Sequence, residues 1–189
     1  VNGSRVVLAS GSPRRIELFS RITSDFVVVP SRVEETASGP PEKRVIALAC
    51  AKAHEVAARE KGIVVAADTL VVLDGDALGK PRSREEARSM LARLSGREHT
   101  VLTGLYVIAA DRKRELEACE RTAVCFRRLD PTEIEAYLDT GEYHDKAGSY
   151  AIQGKGALLV EGIFGDFWNV MGLPLTRLYL LLRELGVPL

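Results

Sequence analysis

The amino-acid sequence predicts an α/β protein whose mixed sheet is flanked by helices. Two observations carry this. Apolar runs of strand length alternate with helix-period segments along all 189 residues. Several of those runs also follow one another without an intervening helix, so the sheet cannot be purely parallel.

The elements follow in chain order. Residues 5–9 (Arg-Val-Val-Leu-Ala) read as a buried strand. Ser12 and Pro13 then suit the N-cap and first turn of a helix running to about Arg21. Phe26–Val29 is a second strand, ended by Pro30, and residues 31–41 form a polar loop carrying Glu34 and Glu35. Glu42–Lys61 has helical spacing and is closed by Gly62. Ile63–Ala67 is a strand that stays extended through Asp68-Thr69 to Leu73, where Asp74-Gly75 signals a hairpin.

Ser83 with Glu86 three residues on reads as a capping box, opening a helix that ends near Gly96. Thr100–Ala110 and Thr122–Arg128 read as strands paired across the charged turn Asp111–Arg114. Pro131–Asp139 is a short helix closed by Gly141, and residues 141–157 are rich in glycine and polar groups. Ala157–Ile163 is a last strand and Leu173–Leu185 a last helix. There is no internal repeat and no interdomain linker.

Composition narrows the function classes. Lysine plus arginine equals aspartate plus glutamate, at 26 each. A neutral chain lacks the broad basic field of sequence-independent nucleic-acid binding, so any anion site is local. No segment is long and apolar enough for a membrane span, and Val1–Ser4 shows no signal pattern. The three cysteines form no C-x-x-C pair and read as reduced, buried thiols. A cytoplasmic protein is expected.

The stretch Ser10-Gly11-Ser12-Pro13-Arg14-Arg15 sits where a strand hands over to a helix. Free N–H groups and about half a positive charge at a helix N-terminus favour an anion. Glycine allows close approach, hydroxyls donate, and arginine forks match phosphate. A capped helix with two solvated arginines is the plainer alternative. Asp68 ends an apolar run, where a carboxylate is costly unless it faces a cleft, and an aspartate at a strand-ending turn is the plainer alternative. It suits magnesium binding or proton abstraction.

Lys52 shares an apolar helix face with Val45, Leu48 and Val56, so it either snorkels or meets an anion. Glu34-Glu35 is a solvated pair or a cation ligand. Lys80, in Gly79-Lys80-Pro81, carries little weight alone. Gln153 could read a base edge that both donates and accepts, or simply occupy a turn. Asp74-Gly75-Asp76 is similar to the nucleophile motif of haloacid-dehalogenase phosphatases, but the residue two beyond the second aspartate is Leu78, and a hairpin tip explains it better. The isolated His54, His99 and His144 argue against zinc. Trp168 and the pair Phe164 and Phe167 read as core or dimer contacts.

Seven short motifs, in order, resemble the Maf family of nucleoside triphosphate pyrophosphatases. They are Leu8–Arg15, Ala67-Asp68-Thr69, Gly79-Lys80-Pro81, Leu94–Arg97, Asp145–Gly148, Ile152-Gln153-Gly154 and Asn169–Pro174. The resemblance implies one Maf-like domain over residues 1–189. Its two lobes, with an active-site cleft between them, would be similar to the inosine triphosphate pyrophosphatase fold. It implies hydrolysis to monophosphate and pyrophosphate with Mg²⁺ or Mn²⁺. Arg14, Thr69 and Gln153 match the subgroup acting on dTTP and UTP, with CTP and modified pyrimidine nucleotides left open.

The roles carried over are specific. Asp68 is the general base, and Lys52, Lys80 and Glu35 complete the catalytic set. Glu35 and Asp68 are the metal ligands. Ser10, Ser12, Arg14 and Arg15 hold the triphosphate, and Thr69 and Gln153 contact the base. The implied partner is a nucleoside triphosphate, with neither nucleic acid nor membrane; a second copy of the chain is a partner the resemblance allows. The rival reading is a nucleotide-sensing regulatory module linked to septum formation and cell-division arrest.

Overall fold

The computed structural model describes residues 5–109, 111, 113–187 and 189. Expectations for Val1–Ser4, for Ala110 at the end of a predicted strand and for Arg112 in the charged turn lie outside them. The order is β1 (Val6–Leu8), α1 (Pro13–Phe19), β2 (Phe26–Val28), α2 (Pro41–Ala57), β3 (Ile63–Leu73), β4 (Asp76–Leu78), α3 (Arg84–Leu94), β5 (Glu98–Ile108), β6 (Glu115–Phe126), α4 (Pro131–Asp139), β7 (Val160–Phe164), α5 (Phe167–Met171) and α6 (Leu175–Glu184). Seven strands form one sheet in the order β2-β1-β3-β5-β6-β7, with β4 beside β3. β1 runs parallel to β2 and β3, while β3–β4 and β6–β7 are antiparallel, so the sheet is mixed as expected.

Two compact units share the chain. The first holds residues through Asp68, Thr103–Glu120 and Gly172–Leu189; the second holds Thr69–Leu102 and Arg121–Met171. In the first, Val7 and Ala9 of the β1 segment, Val64 and Ala66 of β3, and Ile108 of β5 pack on Ala53 and Val56 of α2. Gly104 of β5 makes that packing close: a Cβ there would lie 2.4 Å from the Val45 carbonyl of α2. In the second, α3 and α4 pack together. Arg84 binds Glu135 at 2.8 Å and Asp139 at 2.6 Å, and Arg88 also grips Glu135.

Local chemistry explains the element ends. Ser83 accepts from Glu86 N, but the Glu86 carboxylate accepts from Arg82 N, so only half of the expected capping box forms. The complete box belongs to Asp130 and Glu133 on α4. Asp74 and Gly75 take φ of 54° and 86°, the left-handed pair a two-residue hairpin needs. Arg97 pairs with Asp74 at 2.6 Å, so that aspartate is a hairpin tip with an ion partner.

Several boundaries differ from expectation. α2 stops at Ala57 rather than Lys61, because the chain must turn back for Ile63 N to reach Arg5 O at 3.0 Å. Gly62 permits that turn, with φ of 120° and the Arg5 carbonyl 2.2 Å from where a Cβ would sit. β6 begins at Glu115, seven residues before the predicted start, since the charged run there alternates along a strand instead of ending one. Residues 154–159 form 3₁₀ turns, delaying β7 to Val160. The short helix α5 was not predicted; Asp166 caps it by accepting from Trp168 N at 2.7 Å. Cys50, Cys119 and Cys125 are half-buried, not buried. Phe164 is 69% exposed and Phe167 40%, so neither belongs to a core of this chain. Among the described residues no helix is long and apolar enough to cross a membrane.

Candidate active site

Parallel pairing assembles the site in the first unit. Val6–Leu8 of β1 align with Ile63–Val65 of β3 and with Phe26–Val28 of β2. Ala9 N continues the first ladder to Val65 O at 2.8 Å, and Val29 N continues the second to Leu8 O at 3.0 Å. Parallel strands end on the same edge of a sheet, the edge where α/β proteins place their ligands. Past that edge lie Ser10 after β1 and the loop after β2 that carries Glu35, while Asp68 stands at the middle of the longer β3, three residues beyond Val65.

The central feature is an acid–ammonium–acid cluster. Lys52 Nζ donates to Asp68 Oδ1 at 2.7 Å and to Glu35 Oε1 at 2.7 Å. Lys52 and Asp68 are 7% and 6% exposed. Lys52 does not snorkel; the apolar face of α2 carries its charge inward. A buried carboxylate without a cation would be strongly disfavoured, and here each charge offsets the desolvation of the other. The Glu35 side chain is half exposed, so one side of the cluster stays open to solvent.

The loop bearing Glu35 is stitched to α2. Arg59 donates to Pro30 O at 2.7 Å, and Glu55 accepts from Arg32 N at 3.2 Å. Arg59 bonds Glu55 in turn, at 2.9 Å, holding that carboxyl below its ordinary value. Glu35 and Lys52 therefore ride on one helix-and-loop frame.

At the serine–arginine turn, Ser10 is buried and its hydroxyl accepts from Ser12 N at 3.3 Å. Ser12 stands at the N-cap of α1, but its side chain makes no capping bond. Arg15 Nε donates to Gly172 O at 2.9 Å, a link no local pattern signals because 157 residues separate the two. Burial pushes the Arg15 guanidinium below its ordinary value, while the nearby charges of Asp68 and Glu35 pull it back up. Arg15 thus belongs to the same electrostatic neighbourhood as the acid pair. Arg14 beside it is half-buried.

The remaining candidates, Thr69, Lys80 and Gln153, lie in the second unit. Thr69 is half-buried; Lys80 and Gln153 are exposed. Gly148 N donates to Gly79 O at 3.1 Å, tying the segment before Lys80 to the left-handed turn at Gly148 and Ser149. Sequence reasoning overlooked Glu142, which binds the turn containing Gln153; His99, read there only as isolated, has its Nε2 2.8 Å from Tyr150 Oη in the second unit's interior. A glutamate in a glycine-rich stretch gives no pattern by itself.

The first unit alone thus defines an α/β protein with a serine–arginine turn at the start of α1 and a buried carboxylate–ammonium cluster beside it. A model of the family described as Maf-like protein matches residues 5–185. A protein of Moorella thermoacetica named dTTP/UTP pyrophosphatase is 54% identical over 187 residues, covering 97% of this chain and 96% of its own. One of Thermococcus gammatolerans with the same name is 51% identical over 181 residues, covering 96% of each. Among solved structures, the Staphylococcus aureus Ham1 protein matches 65% of this chain and 71% of its own, at 22% identity and a TM-score of 0.46. The chain belongs to the Maf-like family.

Proposed function

We propose that this chain is a nucleoside triphosphate pyrophosphatase that hydrolyses dTTP and UTP to the monophosphate and pyrophosphate. Relatives about 50% identical over nearly the full length carry that activity in their names. The observation that supports it most is the buried Lys52 ammonium held between Asp68 and Glu35.

Asp68 is the general base. Lys52 occupies Oδ1, leaving Oδ2 to orient a water and take its proton as that water attacks the α-phosphorus. Lys52, Arg15 and Arg14 supply the fixed positive charge that phosphoryl transfer needs on the phosphate oxygens. Ser10, Ser12 and the backbone of their turn hold the triphosphate tail, and Lys80 adds charge to it. Thr69 and Gln153 contact the pyrimidine, where carbonyl oxygens accept and N3–H donates.

Glu35 and Asp68 both bond the Lys52 ammonium through one oxygen each, and their hard oxygen donors would be the ligands for a magnesium or manganese ion. Among the described residues no group of three His, Cys, Asp or Glu side chains could hold an ion. With these two carboxylates as its protein ligands, such an ion would complete its shell with phosphate oxygens and water. When bound, that ion would neutralise phosphate charge. We place the enzyme in the cytoplasm, in keeping with its cysteine usage, and allow a second copy of the chain as a partner.

The test is a panel of canonical and modified triphosphates with Mg²⁺, with products resolved. Pyrophosphate and monophosphate from dTTP and UTP are expected; orthophosphate and diphosphate would refute the assigned bond. Asp68→Asn should lower turnover by about 10²- to 10⁴-fold while nucleotide still binds. A near-normal rate would remove Asp68 from the role of base.

A further inference from the structure

Residues 150–156 run Tyr-Ala-Ile-Gln-Gly-Lys-Gly. Such a stretch has little intrinsic reason to hold one shape, since glycine maximises backbone freedom. Yet it is tied down at both ends. Ala151 N donates to Tyr137 Oη at 3.1 Å. On the far side the two oxygens of Glu142 accept separately, Oε1 from Lys155 N at 3.0 Å and Oε2 from Gly156 N at 3.2 Å. Successive backbone N–H groups converging on a carboxylate make an anion nest, and here the protein fills it with its own side chain.

The glycines are shaped to that fit. Gly154 has φ of 73°, and a Cβ there would sit 2.6 Å from Glu142 Oε1. A Cβ on Gly156 would meet Ala151 O at 1.9 Å. The turn therefore closes on Glu142 from one side and on its own backbone from the other. Burial, with the Glu142 charge adding to it, pushes the Tyr137 phenol up to about 12, so it stays neutral beside Ala151. Gln153 lies between the two anchors. It is exposed, and its side chain takes no part in capping the turn.

We propose that Glu142 is a positioning residue for base recognition: by clamping the Lys155 and Gly156 amides it fixes the turn that presents the Gln153 side chain to the pyrimidine. This rests on the reading of Gln153 as a base contact. Glu142 touches no substrate. It removes the entropy cost of ordering a glycine-rich turn when a nucleotide arrives. Without the clamp the competent turn is a fraction of the ensemble, and apparent affinity falls by that fraction.

The experiment compares the full chain with Glu142→Ala and Glu142→Gln. If the freed turn is competent about one-tenth of the time, KM for dTTP and UTP rises about tenfold in Glu142→Ala, with kcat little changed. The preference for pyrimidine over purine triphosphates shrinks in step. Glu142→Gln keeps one strong acceptor and falls between. Amide hydrogen exchange at Lys155 and Gly156 speeds up in the same order. A Glu142→Ala protein with parental KM and base preference overturns the proposal, as does a fall in kcat alone. Should Glu142→Ala fail to fold, Glu142→Gln carries the same comparison, and parental values there refute it. If the parent hydrolyses no triphosphate, the proposed function falls instead, and exchange at the two amides still reports whether the clamp exists.

Discussion

Replacing Lys52 with methionine separates the worth of a buried ion pair from that of an exposed one. Lys52 and Asp68 are both under 10% exposed and meet at 2.7 Å. Lys52→Met fills similar space and leaves the Asp68 carboxylate buried without its ammonium. Removing one partner of such a pair costs about 3–5 kcal/mol, most of it the desolvation of the stranded charge. In a chain of this size that lowers Tm by about 10 °C. The bond to Glu35 has the same length, but its carboxylate is half in water, where screening leaves a pair worth about 1 kcal/mol or less. Glu35→Gln should therefore shift the urea midpoint far less. The double variant Lys52→Met/Asp68→Asn removes both buried charges and should recover much of the loss, a positive coupling in the double-mutant cycle. The assay is urea unfolding at pH 7, followed by circular dichroism, with slopes checked for two-state behaviour. A Lys52→Met protein within about 1 kcal/mol of the parent would refute the reasoning. So would a Glu35→Gln loss as large as that of Lys52→Met.

Two further outcomes are expected. Burial pushes the His99 imidazole down to about 4, so the native state holds it neutral while the unfolded chain protonates it below about 6.5. Its contribution is full above pH 6.5 and is lost as pH falls towards 4, about 3 kcal/mol in all; His99→Phe should flatten stability against pH across that window, and an unchanged slope would contradict the assignment. Gly104→Ala drives a Cβ to 2.4 Å from the Val45 backbone of α2, the helix that carries Lys52. We expect a loss of about 3 kcal/mol in urea unfolding together with reduced turnover, and a neutral result would show that α2 is not seated on β5 through that glycine.

Much of the architecture was legible because it rests on local rules. Pro13, the Asp74-Gly75 pair and Ser83 mark element boundaries through backbone chemistry that reaches only a few residues. Lys52 on an apolar helix face and Asp68 at the end of an apolar run were conspicuous because a charge in such a place demands a partner. The misread boundaries have the opposite cause. The charged strand β6 and the early stop of α2 depend on what lies beside them in space, and polar alternation alone does not separate a strand from a turn.

By itself, then, the sequence determined the α/β class, most element positions, the charges that had to be compensated and the family pattern, since each depends on side-chain periodicity or short-range backbone preference. Only the tertiary structure decided which partners those charges take. It joined Lys52 to both Asp68 and Glu35, hung Arg15 from Gly172 across 157 residues, and set Glu142 under the Gln153 turn. The reason is physical: a hydrogen bond is made where donor and acceptor meet within about 3 Å, and chain folding, not spacing along the chain, brings them there.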